Sequence, residues 1–342
     1  MCLNTNNSSE YLVPKVSVFM LTYNHEHYIR QALDSVLMQR TRFSVEIVLG
    51  EDCSTDTTRN IVLEYALKYP NCIRLLLHDT NVGSSINQYL VLKACTGEYI
   101  ALLEGDDFWT DEYKLQKQVD FLDSHKDFAL CTHNQAIVDA DGQTTGALMN
   151  SLQPFDTWSV KDLAKGNLIP TASSLYRNNF TNGPSPTGVP VWLKEAKLGD
   201  YCMHMLTARF GKIKYMPEVM GAYRVHGAGA WGLKSLIARN IMLFDTLHLL
   251  KQEFQGTVKE HLVNQQISNL SKIADHGHAT LEFNLPDFLT SRKESILELI
   301  KDDYSSFIQT HFSQQRATCS AEYRYGKLVL KPMRWLTGKI SR

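Results

Sequence analysis

The sequence predicts an α/β fold: a mostly parallel central sheet flanked by helices, followed by a helical C-terminal extension. Three observations predict it. Apolar segments of strand length alternate with helical segments through residues 16–139, which is the pattern of βαβ units with right-handed crossovers. Polar or acidic residues stand where four of these strands end. From about residue 233 the strand-like segments cease and helical periodicity continues.

The first two βα units are predicted from apolar runs and helix signals. Residues 16–24 form an apolar run typical of a buried strand, and residues 26–39 place apolar side chains on one helical face. The second strand, residues 44–52, leads to a helix that Ser54 can cap and that Pro70 ends.

Three more strands follow in the same half of the chain. Residues 73–79 are the third strand, and the helix after it is expected to end at Gly97, since glycine suits a helix C-terminus. Residues 99–107 are the fourth strand, and Thr110 can cap the next helix. Residues 128–139 are the fifth strand, closed by an Asp-Gly turn.

Beyond residue 150 the pattern changes. Residues 151–190 are rich in proline and glycine, which predicts loops and short strands. Residues 199–211 are predicted to form a helix, and residues 212–227 a strand or hairpin. Candidate helices of the extension are 233–254, 257–274 and 289–302. The predicted segments are a flexible N-terminus (1–14), the sheet-containing domain (15–230) and the helical extension (231–342).

Composition excludes several classes of protein. The 342 residues are 44 % apolar and 21 % charged, as in a globular chain with a real core, and the net charge of -1 gives no attraction to nucleic acid. Seven cysteines without C-x-x-C spacing argue against a disulfide framework or structural zinc and favour a reducing compartment. With no signal-peptide pattern and no membrane-spanning apolar run, we expect a cytoplasmic protein.

An acidic cluster, Glu104, Asp106 and Asp107, closes the fourth strand. Crowded carboxylates resist burial unless a cation joins them, and Mg²⁺ and Mn²⁺ prefer such oxygens. Alternate residues on an extended strand face one side, so Glu104 and Asp106 can converge while Gly105 clears space. The cluster predicts a divalent cation shared with a diphosphate. Alternatively, Asp106 and Asp107 simply begin the loop before the next helix.

Five sequence blocks together resemble family 2 glycosyltransferases, which have the GT-A fold. They occur in the family's order over roughly residues 15–227: "VSVFMLTYNHEHYIRQALDSVLMQ", "EIVLGEDCSTDTT", "NVG", "TGEYIALLEGDDFW" and "GDYCMHMLTARFGKI". The resemblance implies a nucleotide-sugar donor, usually a UDP-sugar, with Mn²⁺ or Mg²⁺ as cofactor and inversion at the anomeric carbon. It further implies a glycan or lipid-linked acceptor in surface polysaccharide or glycolipid biosynthesis.

The resemblance also implies which residues bind the nucleotide. Thr22, Tyr23 and Asn24 at the end of the first strand would line the nucleoside pocket. Asp52 at the end of the second strand would accept a hydrogen bond from the base; its alternative role is that of a turn aspartate.

The family's D-x-D motif falls on the acidic cluster. Asp106 would be the main metal ligand, and Glu104 takes the motif's first position, where the longer side chain is a departure from the family. Glu104 is therefore expected among the donor-binding residues, and Asp107 as a neighbouring or rival metal ligand.

Three further residues complete the expected site. Asp200, in "LGDYCMH", would take the proton of the acceptor hydroxyl, although an ordinary helix-capping aspartate is the alternative. In "YRVHG", His226 would be a third metal ligand and Arg224 a phosphate contact. The glycine-rich segment 227–232 would be a loop that closes over the donor.

The C-terminal tail, residues 322–342, has six basic residues interleaved with Trp335 and aliphatic side chains. Such a segment can lie on an anionic bilayer, which predicts peripheral contact with the inner face of the membrane; a solvated or oligomer-contact tail is the alternative. Two rival functions stay open: a binding scaffold that has lost catalysis, which Glu104 would fit, and a sugar nucleotidyltransferase. The second is disfavoured because "TYNHEHYIRQ" contains no glycine for a triphosphate loop.

Overall fold

The computed structural model describes residues 13–150, 156–182, 187–227, 234–277 and 285–311. The chain divides into two compact units, one of residues 1–163 with 167–233 and one of residues 164–166 with 234–342. Three predictions fall largely or wholly outside the described residues: the flexible N-terminus 1–14, the closing loop 227–232 and the basic tail 322–342.

The described part of the first unit is built on one ten-stranded, mixed sheet. Its strands are β1 (Val16–Thr22), β2 (Val45–Glu51), β3 (Ile73–Leu77), β4 (Tyr99–Glu104), β5 (Phe108–Trp109), β6 (Phe128–Val138), β7 (Thr144–Leu148), β8 (Thr157–Trp158), β9 (Leu175–Arg177) and β10 (Lys212–Arg224). The spatial order is β3-β2-β1-β4-β9-β6-β10-β5, with β7 beside β6 and β8 beside β10. The first four strands run parallel, while β9 lies antiparallel between β4 and β6.

Helices connect and flank these strands. They are α1 (Ile29–Leu37), α2 (Thr58–Lys68), α3 (Ser84–Ala94), α4 (Lys114–Ser124), α5 (Val160–Leu163) and α6 (Gly199–Ala208). The inner parallel strands are mostly apolar because both of their faces are covered: β1 is buried at every position but one. This confirms the α/β architecture expected from the alternation of strands and helices.

Three predicted helix boundaries are wrong. Ser54 does not cap α2, which begins four residues later, because its hydroxyl accepts a hydrogen bond from the backbone N–H of Asn24. Thr110 does not cap α4, which begins at Lys114. The helix predicted to end at Gly97 ends at Ala94; that glycine is needed instead because a Cβ there would lie 2.5 Å from the backbone nitrogen of Ser17.

The order of the strands reverses between β1 and β4, which are paired in parallel register from Val16↔Tyr99 to Leu21↔Glu104. In open α/β sheets a crevice forms beyond the carboxyl ends of the strands at such a reversal. The segments that follow β1 and β4 therefore meet at one edge. Gly105 permits the close approach, since a Cβ there would lie 2.8 Å from both Thr22 Oγ1 and His25 Nδ1.

The described part of the second unit is helical. Its helices are α7 (Leu236–Leu250), α8 (Gly256–Gly277), α9 (Leu285–Ser291) and α10 (Lys293–His311), which confirms the predicted helical extension. A separate apolar core holds it together, including Phe244, Ile273, Phe288 and Leu299. None of the helices in the described residues is both long and apolar enough to cross a bilayer.

The cysteines depart from expectation at one position. Cys72 is disulfide-bonded, which neither the odd count nor the spacing predicted, whereas Cys53, Cys95, Cys131 and Cys202 are free thiols.

Candidate active site

The acidic cluster lies at the crevice between β1 and β4. Glu104 is the last residue of β4, and the backbone N–H of Asp107 donates to its carbonyl (3.2 Å), so the chain turns sharply through Gly105 and Asp106. One carboxylate oxygen from each of Glu104, Asp106 and Asp107 lies within 4.8 Å of the others. The structure therefore brings together the three acidic residues that the sequence singled out.

Burial and mutual repulsion dominate the electrostatics of this cluster. Burial, aided by the charges of Asp106 and Asp200, raises the pKa of Glu104 to about 8. Burial and the same kind of repulsion, from Asp106 and Glu104, raise the pKa of Asp107 well above its ordinary value. Three hard oxygen donors this close fit Mg²⁺ or Mn²⁺, whose charge would let all of them ionise.

Asp106 is the member that stays ionised, because two histidines face it. Burial works to raise its pKa, but the hydrogen bond from His226 and the charges of His25 and His226 outweigh burial and lower it. His226 Nε2 lies 3.1 Å from Asp106 Oδ2, and His25 Nε2 lies 3.7 Å from the same oxygen. Carboxylate and imidazole thus converge at one point, as a metal site requires.

His25 is a residue that the sequence analysis did not single out. It follows β1, whereas Asp106 follows β4, and only the parallel pairing of these strands makes them neighbours. Its position in the sequence was the one signal available: it lies three residues after the end of β1, and strand ends were predicted to form the ligand-binding edge.

Arg224 has a different environment from the predicted phosphate contact. Its backbone N–H donates to Asp107 Oδ1 (2.9 Å) and its Nε to the carbonyl of Asp106 (2.9 Å). Its Nη1 donates to the carbonyl of Ala140 (2.8 Å) and its Nη2 to Gln31 Oε1 (2.6 Å). The side chain therefore joins the acidic loop to α1 and to the turn after β6.

Aromatic rings complete the enclosure of this guanidinium. Its central carbon lies 4.7 Å from the ring centroid of Tyr28 and 5.2 Å from that of Phe108, and Arg224 as a whole is 4 % exposed. These contacts support a role for Arg224 in holding the acidic loop, and its contact with a phosphate stays a prediction.

The residues expected at the nucleoside end lie on the neighbouring strand ends. Thr22 is buried and Tyr23 is exposed. Asn24 adopts a positive φ of 55°, a conformation that asparagine tolerates better than most residues. Its backbone N–H donates to Ser54 Oγ (3.0 Å) and its Oδ1 accepts from the N–H of Thr55 (2.8 Å), which ties the end of β1 to the loop after β2.

Asp52 organises the turn before α3. Its carboxylate accepts hydrogen bonds from the backbone N–H groups of Val82 (2.7 Å) and Gly83 (3.0 Å), and its carbonyl accepts from Asn81 Nδ2 (3.1 Å). Each carboxylate oxygen has a second lone pair, so a further donor can still be accepted. Asp52 thus has the structural role of a turn aspartate, and its position at the strand end is compatible with a base contact.

Asp200 is the second residue of α6, so it lies inside the first turn and does not cap the helix. Its Oδ2 accepts hydrogen bonds from Thr171 Oγ1 (3.1 Å) and Asn167 Nδ2 (3.3 Å). Its charge reaches the acidic cluster, since it contributes to the raised pKa of Glu104. The structure therefore places a hydrogen-bonded carboxylate within electrostatic range of the cluster.

Comparison with known proteins agrees with this architecture. The model of the family described as "Glycosyl transferase family 2" matches residues 17–180. The uncharacterized protein Rv1520 of Mycobacterium tuberculosis is 40 % identical over 221 residues, covering 63 % of this chain and 60 % of that protein. An uncharacterized glycosyltransferase of Nostoc, alr2836, is 31 % identical over 219 residues, covering 63 % of this chain and 66 % of that protein.

Solved structures share the fold. TarS of S. aureus (residues 1–349, in complex with UDP) superposes with a TM-score of 0.60 at 18 % identity, covering 96 % of this chain and 93 % of that one. The mannosyltransferase PcManGT of Pyrobaculum calidifontis, in complex with GDP-Man and Mn²⁺, superposes with a TM-score of 0.53 at 17 % identity. The match covers 86 % of this chain and 83 % of that one. These likenesses confirm the predicted fold. This chain spans about 60 % of the length of the mycobacterial relative.

Proposed function

Because the model of glycosyl transferase family 2 matches residues 17–180, we propose that the chain is an inverting, metal-dependent glycosyltransferase. It would move a sugar from a nucleotide-sugar donor, in our proposal a UDP-sugar, to a glycan or lipid-linked acceptor. The observation that carries the proposal is the convergence of Glu104, Asp106 and Asp107 at the reversal of strand order, with His226 facing Asp106 and Asp200 within electrostatic range.

The residues of the cluster fit a resident Mn²⁺ or Mg²⁺. Asp106 and His226 would hold it, with Glu104 or Asp107 as a further oxygen ligand. When bound, the ion neutralises the charge that develops on the departing diphosphate. Arg224 and Asp107 support this arrangement, since the hydrogen bond between them keeps the acidic loop against the end of β10.

The transfer step needs a base beside the acceptor. In our proposal Asp200 accepts the proton of the acceptor hydroxyl while that oxygen forms a bond to the anomeric carbon from the face opposite the diphosphate. The bond between the anomeric carbon and the diphosphate oxygen breaks, and the nucleoside diphosphate leaves. Hydrogen bonds from Thr171 and Asn167 to one oxygen of Asp200 fix the orientation of the carboxylate.

The nucleoside would bind beyond β1 and β2. Thr22, Tyr23 and Asn24 line that edge, and Asp52 lies buried beside them. Two relatives in fold are described with UDP and with GDP-Man, which supports a nucleotide-sugar donor of this general kind. We further propose a cytoplasmic setting in surface polysaccharide or glycolipid assembly, with peripheral contact at the inner face of the membrane.

A panel of sugar nucleotides with and without Mn²⁺ tests the proposal. Thermal shift should reveal one preferred donor, because a ligand that binds the folded state raises the melting temperature by mass action. With that donor, Asp200→Asn should still bind the sugar nucleotide but lose the acceptor-dependent release of nucleoside diphosphate. If no sugar nucleotide stabilises the wild-type chain at any metal concentration, the proposal is wrong; if Asp200→Asn retains full turnover, Asp200 is not the base.

A scaffold without catalysis makes a different prediction. It would bind the donor but give no metal-dependent turnover with any acceptor, and Asp200→Asn would leave its behaviour unchanged. The position of Asp200 favours the enzyme over the scaffold, because its hydrogen bonds hold the carboxylate in one orientation.

A further inference from the structure

Tyr28, the residue before helix α1, contacts two side chains at the end of β10. Its ring centroid lies 4.6 Å from that of His226, with the two rings inclined by 54°, and 4.7 Å from the guanidinium carbon of Arg224. Val225, between those two residues in sequence, is exposed. This alternation continues the pattern of the strand past its last residue, so Arg224 and His226 share the side that meets Tyr28.

Few contacts fix the orientation of the His226 imidazole. Its Nε2 lies 3.1 Å from Asp106 Oδ2, and within the described part of the chain its Nδ1 has no hydrogen-bond partner. A histidine that binds a metal usually donates a hydrogen bond from its other ring nitrogen, and that bond fixes the orientation of the ring. For His226 this task falls to the neighbouring rings, of which Tyr28 at 4.6 Å is closer than His25 at 6.5 Å.

Tyr28 is itself held in place by the backbone and by Arg224. Its N–H donates to the carbonyl of His25 (2.9 Å), and its carbonyl accepts from the N–H of Ala32 (3.1 Å), which joins the residue to the first turn of α1. The guanidinium against its ring is buried and fixed by the hydrogen bonds described above. The Tyr28 ring therefore has a rigid support and restrains the imidazole that packs against it.

We propose that Tyr28 is a positioning residue for the divalent cation: its ring holds the His226 imidazole in the orientation that directs Nε2 to the cation beside Asp106. This inference rests on the proposed function, in which Asp106 and His226 hold Mn²⁺ or Mg²⁺, and deepens it by naming a residue that controls cation affinity without contacting the cation. The aromatic ring carries the role and the hydroxyl does not, because the contact joins one ring to another. Loss of such a supporting group typically lowers metal affinity about 10–100-fold.

Calorimetry with Mn²⁺ tests this role in three variants. Tyr28→Leu removes the ring, and we expect it to weaken Mn²⁺ binding about tenfold or more. Tyr28→Phe keeps the ring and should bind Mn²⁺ as wild type does. Phe121→Leu is the matched control and should leave Mn²⁺ binding unchanged, because Phe121 stacks on His125 with ring centroids 4.3 Å apart and neither residue belongs to the candidate site.

Pulsed electron paramagnetic resonance of the bound Mn²⁺ gives a second readout, because it detects the nitrogen nucleus of a coordinated imidazole. Wild type and Tyr28→Phe should show this nitrogen signal, and Tyr28→Leu should lose it. A double-mutant cycle then separates positioning from a general loss of stability. Because Tyr28 acts through His226, adding Tyr28→Leu to His226→Ala should weaken Mn²⁺ binding no further than His226→Ala alone.

The opposite results would overturn the inference. Wild-type Mn²⁺ affinity in Tyr28→Leu, full additivity in the cycle, or bound Mn²⁺ without a nitrogen signal in wild type would each do so. If wild type binds Mn²⁺ through an imidazole and Tyr28→Leu does so equally, only the role of Tyr28 is wrong; if wild type binds no Mn²⁺, the proposed metal dependence is wrong as well. Should Tyr28→Leu not fold, Tyr28→Met also removes the ring and provides the same comparison.

Discussion

Replacing Lys114 by methionine should stabilise the first unit in a manner that depends on pH. Lys114 begins α4 and is 0 % exposed, with its Nζ 3.8 Å from the centroid of the Trp109 ring. Among the described residues its Nζ has no hydrogen-bond partner. Burial lowers its pKa to about 7 from the ordinary 10.5. Because the folded state disfavours the charged form, the unfolded chain binds the proton more tightly.

The sign and size of the change in folding stability follow from proton linkage. A lowered lysine pKa destabilises the fold fully below pH 7, and the effect fades as the pH rises toward 10.5. The two pKa values give a cost of about 4 kcal/mol at pH 7 and about 2 kcal/mol at pH 9. Lys114→Met removes this cost and also removes the contact between Nζ and the Trp109 ring. Methionine does not titrate, so position 114 adds no pH dependence to the stability of the variant. The stability difference between variant and wild type should therefore shrink by about 2 kcal/mol between pH 7 and pH 9.

The assay is the melting temperature of both proteins at a series of pH values from 6 to 9. For a unit of this size a change of about 1 kcal/mol in stability shifts the melting temperature by roughly 2–4 °C. The difference in melting temperature between variant and wild type (the gap) should therefore narrow by about 4–8 °C between pH 7 and pH 9. Lys117→Met is the control: Lys117 lies on the same helix, is exposed, and pairs with Asp111, so its gap should not vary in this way. A gap for Lys114→Met that is constant with pH would refute the reasoning, since it would mean that Lys114 is charged in the folded state throughout.

Three further perturbations follow from the site. Asp106→Asn should reduce Mn²⁺ affinity at least tenfold by calorimetry, since a charged ligand becomes neutral with little change of shape; unchanged affinity would exclude Asp106 as a ligand. Arg224→Lys should lower the melting temperature, because one ammonium cannot reproduce three separate guanidinium hydrogen bonds, at a cost of about 1–3 kcal/mol; an unaltered melting temperature would contradict the role in holding the loop. Gly105→Ala should destabilise the chain by about 1–3 kcal/mol because its Cβ would lie 2.8 Å from two side-chain atoms, whereas Gly166→Ala, with nothing within 4 Å, should not.

The fold could be read from the sequence to the extent that local patterns determine it. The strands β1 to β4 and β6 were located to within a few residues, because each contains a run of apolar residues of strand length. Helix starts could not be read equally well. Ser54 has the right chemistry for a cap, but its hydroxyl binds the backbone of a residue 30 positions earlier.

In the candidate site, too, local features could be predicted and contacts between distant residues could not. Glu104, Asp106 and Asp107 were identified because they are adjacent in sequence and need no knowledge of the topology. The approach of His25 to Asp106 depends on the pairing of two strands, and that of Arg224 to Asp107 joins residues 117 positions apart. Neither juxtaposition has a local signature.

The acidic loop limits which insertions and deletions this chain can tolerate during evolution. Only three residues, Gly105 to Asp107, connect β4 to β5, and both strands are paired in the sheet. Because the connection is so short, an insertion or deletion there would displace the carboxylates of Asp106 and Asp107 together. The hairpin around β7, exposed along its whole length, carries no such restriction. If the proposed function is correct, new acceptor preferences are best sought by altering the length of peripheral loops such as this hairpin, while the three-residue connection is left intact.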